Sequence, residues 1–201
     1  MSAIGILLAG GASARFPSGK LDAVIPAALA DRRGRPELAG ARVVDAAHAT
    51  LLAAVPEVLV LGEPKLSAPA VCIPDRRPLA GPAASLADLL AGERLRDRDD
   101  STRVIILAAD APFAPPPLLG LMAASSGNVI LRADEPLPFA TSLGALRAAV
   151  AGNGELPRLR DLASALAAVT LDVRILSRLD PLGAALADID RPEDLEAPAS
   201  R

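Results

Sequence analysis

Ile4-Gly5-Ile6-Leu7-Leu8-Ala9-Gly10-Gly11-Ala12-Ser13-Ala14-Arg15-Phe16-Pro17-Ser18-Gly19-Lys20 opens as an unbroken apolar run and closes as a glycine-rich loop with two cations. A short apolar run that ends at paired glycines reads as a buried parallel strand followed by a turn. Glycines let successive backbone N–H groups converge on an anion, and Arg15 and Lys20 would neutralise it, so a triphosphate fits this loop. The spacing is neither the dinucleotide G-x-G-x-x-G nor a P-loop ending in Gly-Lys-Ser/Thr. A plain turn with two solvated cations is the alternative reading.

Working outward, strand-like segments recur at Glu57–Leu61, Ala70–Ile73, Val104–Ala108, Asn128–Leu131 and Val169–Val173. Ala/Leu-rich helical segments lie between them, at Val43–Ala54, Ala83–Ala91, Pro116–Ala124, Leu143–Ala151 and Arg158–Ala168. Pro115-Pro116-Pro117 can open a helix but not continue one. Such alternation predicts an α/β fold, a mostly parallel sheet with helices on both faces. Residues 1–196 read as one domain, 197–201 as a frayed tail and Asp31–Gly40 as a surface loop. Ligands of open α/β sheets bind beyond the carboxyl ends of the strands, so chemistry is expected after Leu8, Leu61, Ile73 and Ala109.

Composition narrows the functions available. The 201 residues are 51% hydrophobic and 22% charged, which argues against disorder. With 1% aromatics, no Trp or Tyr and a net charge of −3, the chain lacks the stacking residues and basic stripe of a nucleic-acid binder. Cys72 has no second cysteine to pair with, and one histidine, His48, rules out a histidine metal cluster or a catalytic triad placed at a strand end. His48 reads as a surface or half-buried helix residue and Cys72 as a small core hydrophobe. The opening apolar run lacks a basic flank and is too short to span a membrane, so a cytoplasmic location with no membrane partner is expected.

Three further clusters hold residues suited to chemistry. Asp110, in Ala109-Asp110-Ala111-Pro112-Phe113, sits at the tip of a buried strand. There a carboxylate is costly unless paired or metal-bound, and Mg²⁺ bridging triphosphate oxygens would satisfy it. Capping of the next helix is the competing role. Asp75, in Asp75-Arg76-Arg77, either meets a base or ribose or belongs to a solvated loop, and Gly81-Pro82 opens a helix whose N-terminus can face an anion. Asp188 and Asp190 alternate onto one side of an extended segment, where either would complete a metal site begun by Asp110 or Asp190 would cap the helix at Pro192.

Together these motifs resemble the molybdenum cofactor guanylyltransferases, whose opening L-A-G-G-x-S-x-R-(M/F)-G-x-x-K is matched by Leu8–Lys20 with Pro17 in place of a glycine. The family's D-x-P-(F/Y)-x-P is matched by Asp110–Pro115, its G-P-L-A-G-L by Gly81–Leu86 in altered form, and its N-(I/V)-N-T-P-E-D-L by Asp188–Leu195. The resemblance runs from about residue 3 to 196. It implies a three-layer, Rossmann-like, GT-A-like nucleotidyltransferase fold. It also implies transfer of GMP from GTP to the phosphate of molybdopterin, with release of pyrophosphate and Mg²⁺ as cofactor. The implied nucleotide contacts are Leu8, Ala9, Gly10, Gly11, Ser13, Lys20, Asp75, Gly81 and Asp110. Lys20, Arg15 and Asp110 would be catalytic, and Asp110 with Asp188 would hold the metal. Arg158 and Arg160 would grip the acceptor phosphate, unless they are a solvated helix face. Transient contact with molybdoenzymes or cofactor-biosynthesis proteins would follow.

Gly62 stands where the family often has a guanine-contacting Asn, and Gly19-Lys20-Leu21 and Asp188-Ile189-Asp190 look more like the molybdopterin cytidylyltransferases. CTP therefore stands beside GTP as nucleotide, but Pro138–Leu166 looks more like the guanylyltransferases and keeps GTP first. Transfer to another phosphorylated acceptor and a non-catalytic nucleotide-binding module are the remaining alternatives.

Overall fold

The computed structural model describes residues 2–10, 19–77, 80–152 and 158–196. Its strands are Ala3–Leu8 (β1), Val58–Leu61 (β2), Val71–Ile73 (β3), Arg103–Ala108 (β4), Val129–Ile130 (β5), Phe139–Ser142 (β6) and Val169–Thr170 (β7). They form one sheet in the order β3-β2-β1-β4-β6-β5-β7. Pairings are parallel except those of β6, which runs antiparallel to β4 and β5. The chain leaves β1 toward β2 and β3, then returns to β4 on β1's other side. That reversal opens a crevice at the carboxyl ends of β1 and β4, where open α/β sheets take ligands.

Alternation along β1 and β4 builds a core on each face. Leu7, Ile105 and Leu107 pack with helices α2 (Val43–Leu52) and α5 (Pro116–Ala124), through Val44, Leu51, Leu118 and Met122. Ile4, Ile6, Val104 and Ile106 pack with α3 (Pro82–Ala91), α4 (Glu93–Arg96), α6 (Leu143–Gly152) and α7 (Leu159–Ala165), through Leu86, Leu89, Leu95, Leu146 and Leu162. Gly5 lets α2 approach: a Cβ there would lie 2.7 Å from Leu51 Cγ. A third cluster joins α1 (Ala27–Arg32) to Phe113 and Ile189, and this sets the Asp110 loop and the Asp188–Asp190 segment against each other.

The α/β expectation holds, with local corrections. The stretch Asp31–Gly40 is not a simple surface loop, because it holds the end of α1 and a 3-10 turn at Pro36–Leu38 that buries Leu38. The strand expected over Val169–Val173 stops at Thr170: Asp172 accepts from the Arg174 N–H and opens α8 (Val173–Leu179). Strand β6 follows Phe139 with Ala, Thr and Ser and so gives little apolar signal, yet it lies inside the sheet between β4 and β5. His48 is buried rather than half-exposed, and burial lowers its pKa. Cys72 is exposed on the edge strand β3 rather than in the core. No helix among the described residues is long and apolar enough to cross a membrane.

Candidate active site

Where β1 and β4 end side by side, the backbone binds their loops together. The Ala109 N–H donates to Leu8 O at 3.0 Å, and the Ala9 N–H donates to Leu61 O at 2.8 Å. Gly62 then turns with φ +115°, and a Cβ on it would come within 3.0 Å of the Ala9 carbonyl and the Gly10 nitrogen. Only glycine combines that φ with so close an approach. Gly62 is thus part of the loop's support, a role its position just after a buried strand could have signalled.

Lys20 lies at the centre. Its ammonium donates to Asp110 Oδ2 and, at 2.8 Å, to Asp190 Oδ1. Both the Lys20 and Asp110 side chains are about four-fifths buried, at 19% and 21% exposure. Burial pulls the Lys20 pKa down, but the hydrogen bonds and charges of Asp110 and Asp190 outweigh it and hold the ammonium above its ordinary value. Asp188 keeps an exposed edge, and its pKa is raised by partial burial and then by the like charges of Asp190 and Asp110. Two carboxylates, Asp110 and Asp190, thus share one ammonium, and Asp188 lies within range of both their charges.

Backbone contacts fix these groups. The Ile189 N–H donates to Asp110 O at 2.9 Å, and Ile189 is buried while Asp190 reaches Lys20 and Asp188 lies within range of Asp110's charge. Asp180, itself buried, accepts from the Ala184 and Ala185 N–H groups and shapes the chain leading there. Two capping alternatives fail. The residue flanking α5 is Pro115, and the Asp110 side chain is committed to Lys20. Asp190 also turns to Lys20, while Asp194 accepts from the Asp190 and Arg191 N–H groups.

A cavity of about 370 Å³ opens here. Leu8, Ala9, Gly10, Gly19, Lys20 and Asp110 form its polar, backbone-rich side. Pro82, Leu137 and Leu159 form an apolar wall from the α3 and second-half side. Asp75 sits by Gly10, its Oδ2 3.8 Å from where a Gly10 Cβ would be, and Asp75 Oδ1 accepts from the Arg77 N–H at 3.2 Å. Arg77 in turn grips Asp88 of α3 at 2.8 and 3.0 Å, so the Asp75 loop is tied to a helix. Gly81, with φ +88°, is the N-cap of α3.

Leu8, Ala9, Gly10, Lys20, Asp75 and Asp110 therefore converge, with Asp188 close enough to feel Asp110's charge. Gly11, Ser13 and Arg15 lie outside the described residues. Arg158 and Arg160 are exposed and do not line the cavity; Leu159 between them does. The chemistry of the donor set fits Mg²⁺. The described residues contain no group of three or more His, Cys, Asp or Glu disposed as a metal cage. Mg²⁺ at substrate phosphates needs only one or two carboxylates and takes the remaining oxygens from substrate and water.

A family model described as a MobA-like NTP transferase domain matches residues 5–169. No curated protein matches the chain in sequence. Among solved structures, molybdopterin-guanine dinucleotide biosynthesis protein A from Archaeoglobus fulgidus is 18% identical, with 96% of this chain and 94% of that one covered at a TM-score of 0.64. A nucleotidyl transferase from Methanothermobacter gives 18% identity, the same coverages and a TM-score of 0.65. A 4-diphosphocytidyl-2C-methyl-D-erythritol synthase gives 13%, the same coverages and 0.60. At these identities the structural likenesses establish the fold: an α/β nucleotidyltransferase architecture.

Proposed function

We propose that this chain, which belongs to the MobA-like NTP transferase family, transfers GMP from GTP to the phosphate of molybdopterin. An acceptor phosphate oxygen attacks the α-phosphorus, the bond to the β-phosphate oxygen breaks, and pyrophosphate leaves with the electron pair. The acceptor phosphate is already ionised at neutral pH, so no general base is required. Positioning and charge stabilisation carry the rate. The Gly10 backbone and Lys20 would hold the triphosphate, and Asp75, beside Gly10, would meet the base or ribose. Asp110 and Asp188 would hold Mg²⁺, which when bound neutralises charge on the triphosphate and on the departing pyrophosphate.

The observation that carries this reading is the contact of Lys20 with Asp110 beside Gly10, at the reversal point of the sheet. A cation and a carboxylate held together there can serve one triphosphate and its metal. Gly62 favours a second reading, transfer of CMP from CTP. It presses on Ala9 and Gly10 and offers no side-chain amide to a guanine edge. A thermal-shift competition with GTP, CTP, ATP and UTP plus Mg²⁺ separates the two, because binding to the native state raises stability. The largest shift is expected with GTP. A larger shift with CTP transfers the proposal to cytidylyl transfer, and the absence of pyrophosphate release with every nucleotide and acceptor tried would leave a binding module.

A further inference from the structure

Arg35 belongs to the segment that reads as a surface loop, yet its side chain is only 11% exposed. Its guanidinium Nη1 donates to Ala114 O at 2.7 Å and its Nη2 to Thr50 Oγ1 at 3.1 Å. Thr50, 1% exposed in α2, donates its hydroxyl to Pro112 O at 2.9 Å. Two carbonyls of the loop Asp110–Ala114 are therefore held by side chains from outside it. Phe113 between them is 1% exposed and locked in the α1 cluster. The loop has no helical ladder of its own, and α5 begins only at Pro116. Prolines at 112 and 115 also remove two N–H donors that could have braced it. Carbonyls in such a segment need donors from elsewhere.

We infer that Arg35 and Thr50 are positioning residues that aim the Asp110 carboxylate at the nucleotide-bound metal, an inference that rests on the transferase reading. Neither residue lines the cavity. Each acts through the loop's backbone. A planar fork that holds Ala114 O and Thr50 together is a task for Arg that Lys does not replace.

The test uses Arg35→Met, Arg35→Lys and Thr50→Val in the full chain, with Glu37→Gln as control. Glu37 pairs with Arg35 from the exposed side and touches neither loop carbonyl. Three quantities are read: transfer rate against Mg²⁺ concentration, Mn²⁺ binding to the GTP-loaded protein by electron paramagnetic resonance, and hydrogen exchange at the Ala109 and Ala111 amides. Arg35→Met is expected to raise the half-saturating metal concentration about tenfold, with KM for GTP changed less than twofold. Exchange at Ala111 should accelerate while exchange in β1 and β4 does not. Arg35→Lys should recover little, Thr50→Val should act in the same direction but less, and Glu37→Gln should match wild type. Unchanged metal half-saturation and unchanged Ala111 exchange in Arg35→Met would overturn the inference, as would a uniform loss of stability with no metal effect. A wild-type protein that transfers nothing would refute the transferase reading itself; Ala111 exchange then decides for or against the tether.

Discussion

The two halves of the sheet are built differently. On the side of β1, β2 and β4, strands of four to six residues are buried almost throughout, Gly10, Gly62 and Asp110 stand just past their ends, and Lys20 opens a 3-10 turn beside Asp110. On the side of β5 and β7, the strands are two residues long, and Val169, Val173 and Ile175 are exposed. Among the described lining residues, the charged pair Lys20 and Asp110 belongs to the first half and the second half adds Leu137 and Leu159, while Asp190 reaches Lys20 from the C-terminal segment. Charged groups must be held by rigid, buried strands because a misplaced buried charge is costly. An apolar wall tolerates a looser frame. Under the proposed transfer, the division would give phosphate chemistry to the first half and acceptor fit to the second.

The sharpest way to break that division is Asp110→Ala. Transfer should fall about 10²–10³-fold, the scale on which removal of one electrostatic stabiliser acts, while circular dichroism stays native. Lys20→Met should cost on the order of 10²-fold in kcat/KM and weaken nucleotide binding. Gly62→Ala should destabilise by about 1–3 kcal/mol in denaturant titration, because it forces a side chain into a φ of +115° against the Ala9 backbone.

Asp188 offers a test by pH without metal. Its pKa is raised by partial burial and by the charges of Asp190 and Asp110. A raised carboxyl stabilises the fold only where it is protonated, below its unfolded pKa, and that contribution is lost as pH climbs through the folded value. At neutral pH the ionised Asp188 therefore opposes folding. Asp188→Asn should raise Tm at pH 7, and the gain should vanish as pH drops below the usual carboxylate range. The smallest effects are expected across the cavity. Leu159→Ala should raise KM for the acceptor several-fold, while Arg160→Ala should change it less than Leu159→Ala does. A larger effect from Arg160 would return a charged role to the second half.

The legibility of the sequence follows the same divide. β1, β2 and β4 are continuous apolar runs, and their long buried periodicity announces both the strands and the loops that follow. Asp110 was visible because a carboxylate stands where burial makes it expensive. β6 was hidden, since Ala140, Thr141 and Ser142 carry no apolar pattern and pair through the backbone. Arg35 was hidden for another reason: a charged residue next to Gly34 and Pro36 looks solvated until the fold brings Ala114 and Thr50 to it. Asp190's partnership with Lys20 spans the whole chain and leaves no local trace.

Single-turnover transfer from GTP to molybdopterin in the presence of Mg²⁺, comparing wild type with Asp110→Ala, addresses the Lys20–Asp110 site most directly. Wild type should release one pyrophosphate per GMP transferred, and the variant should be slower by at least a hundredfold while remaining folded. An Asp110→Ala protein that transfers at the wild-type rate would show that the carboxylate at the end of β4 does not hold the metal, and the site would lie elsewhere.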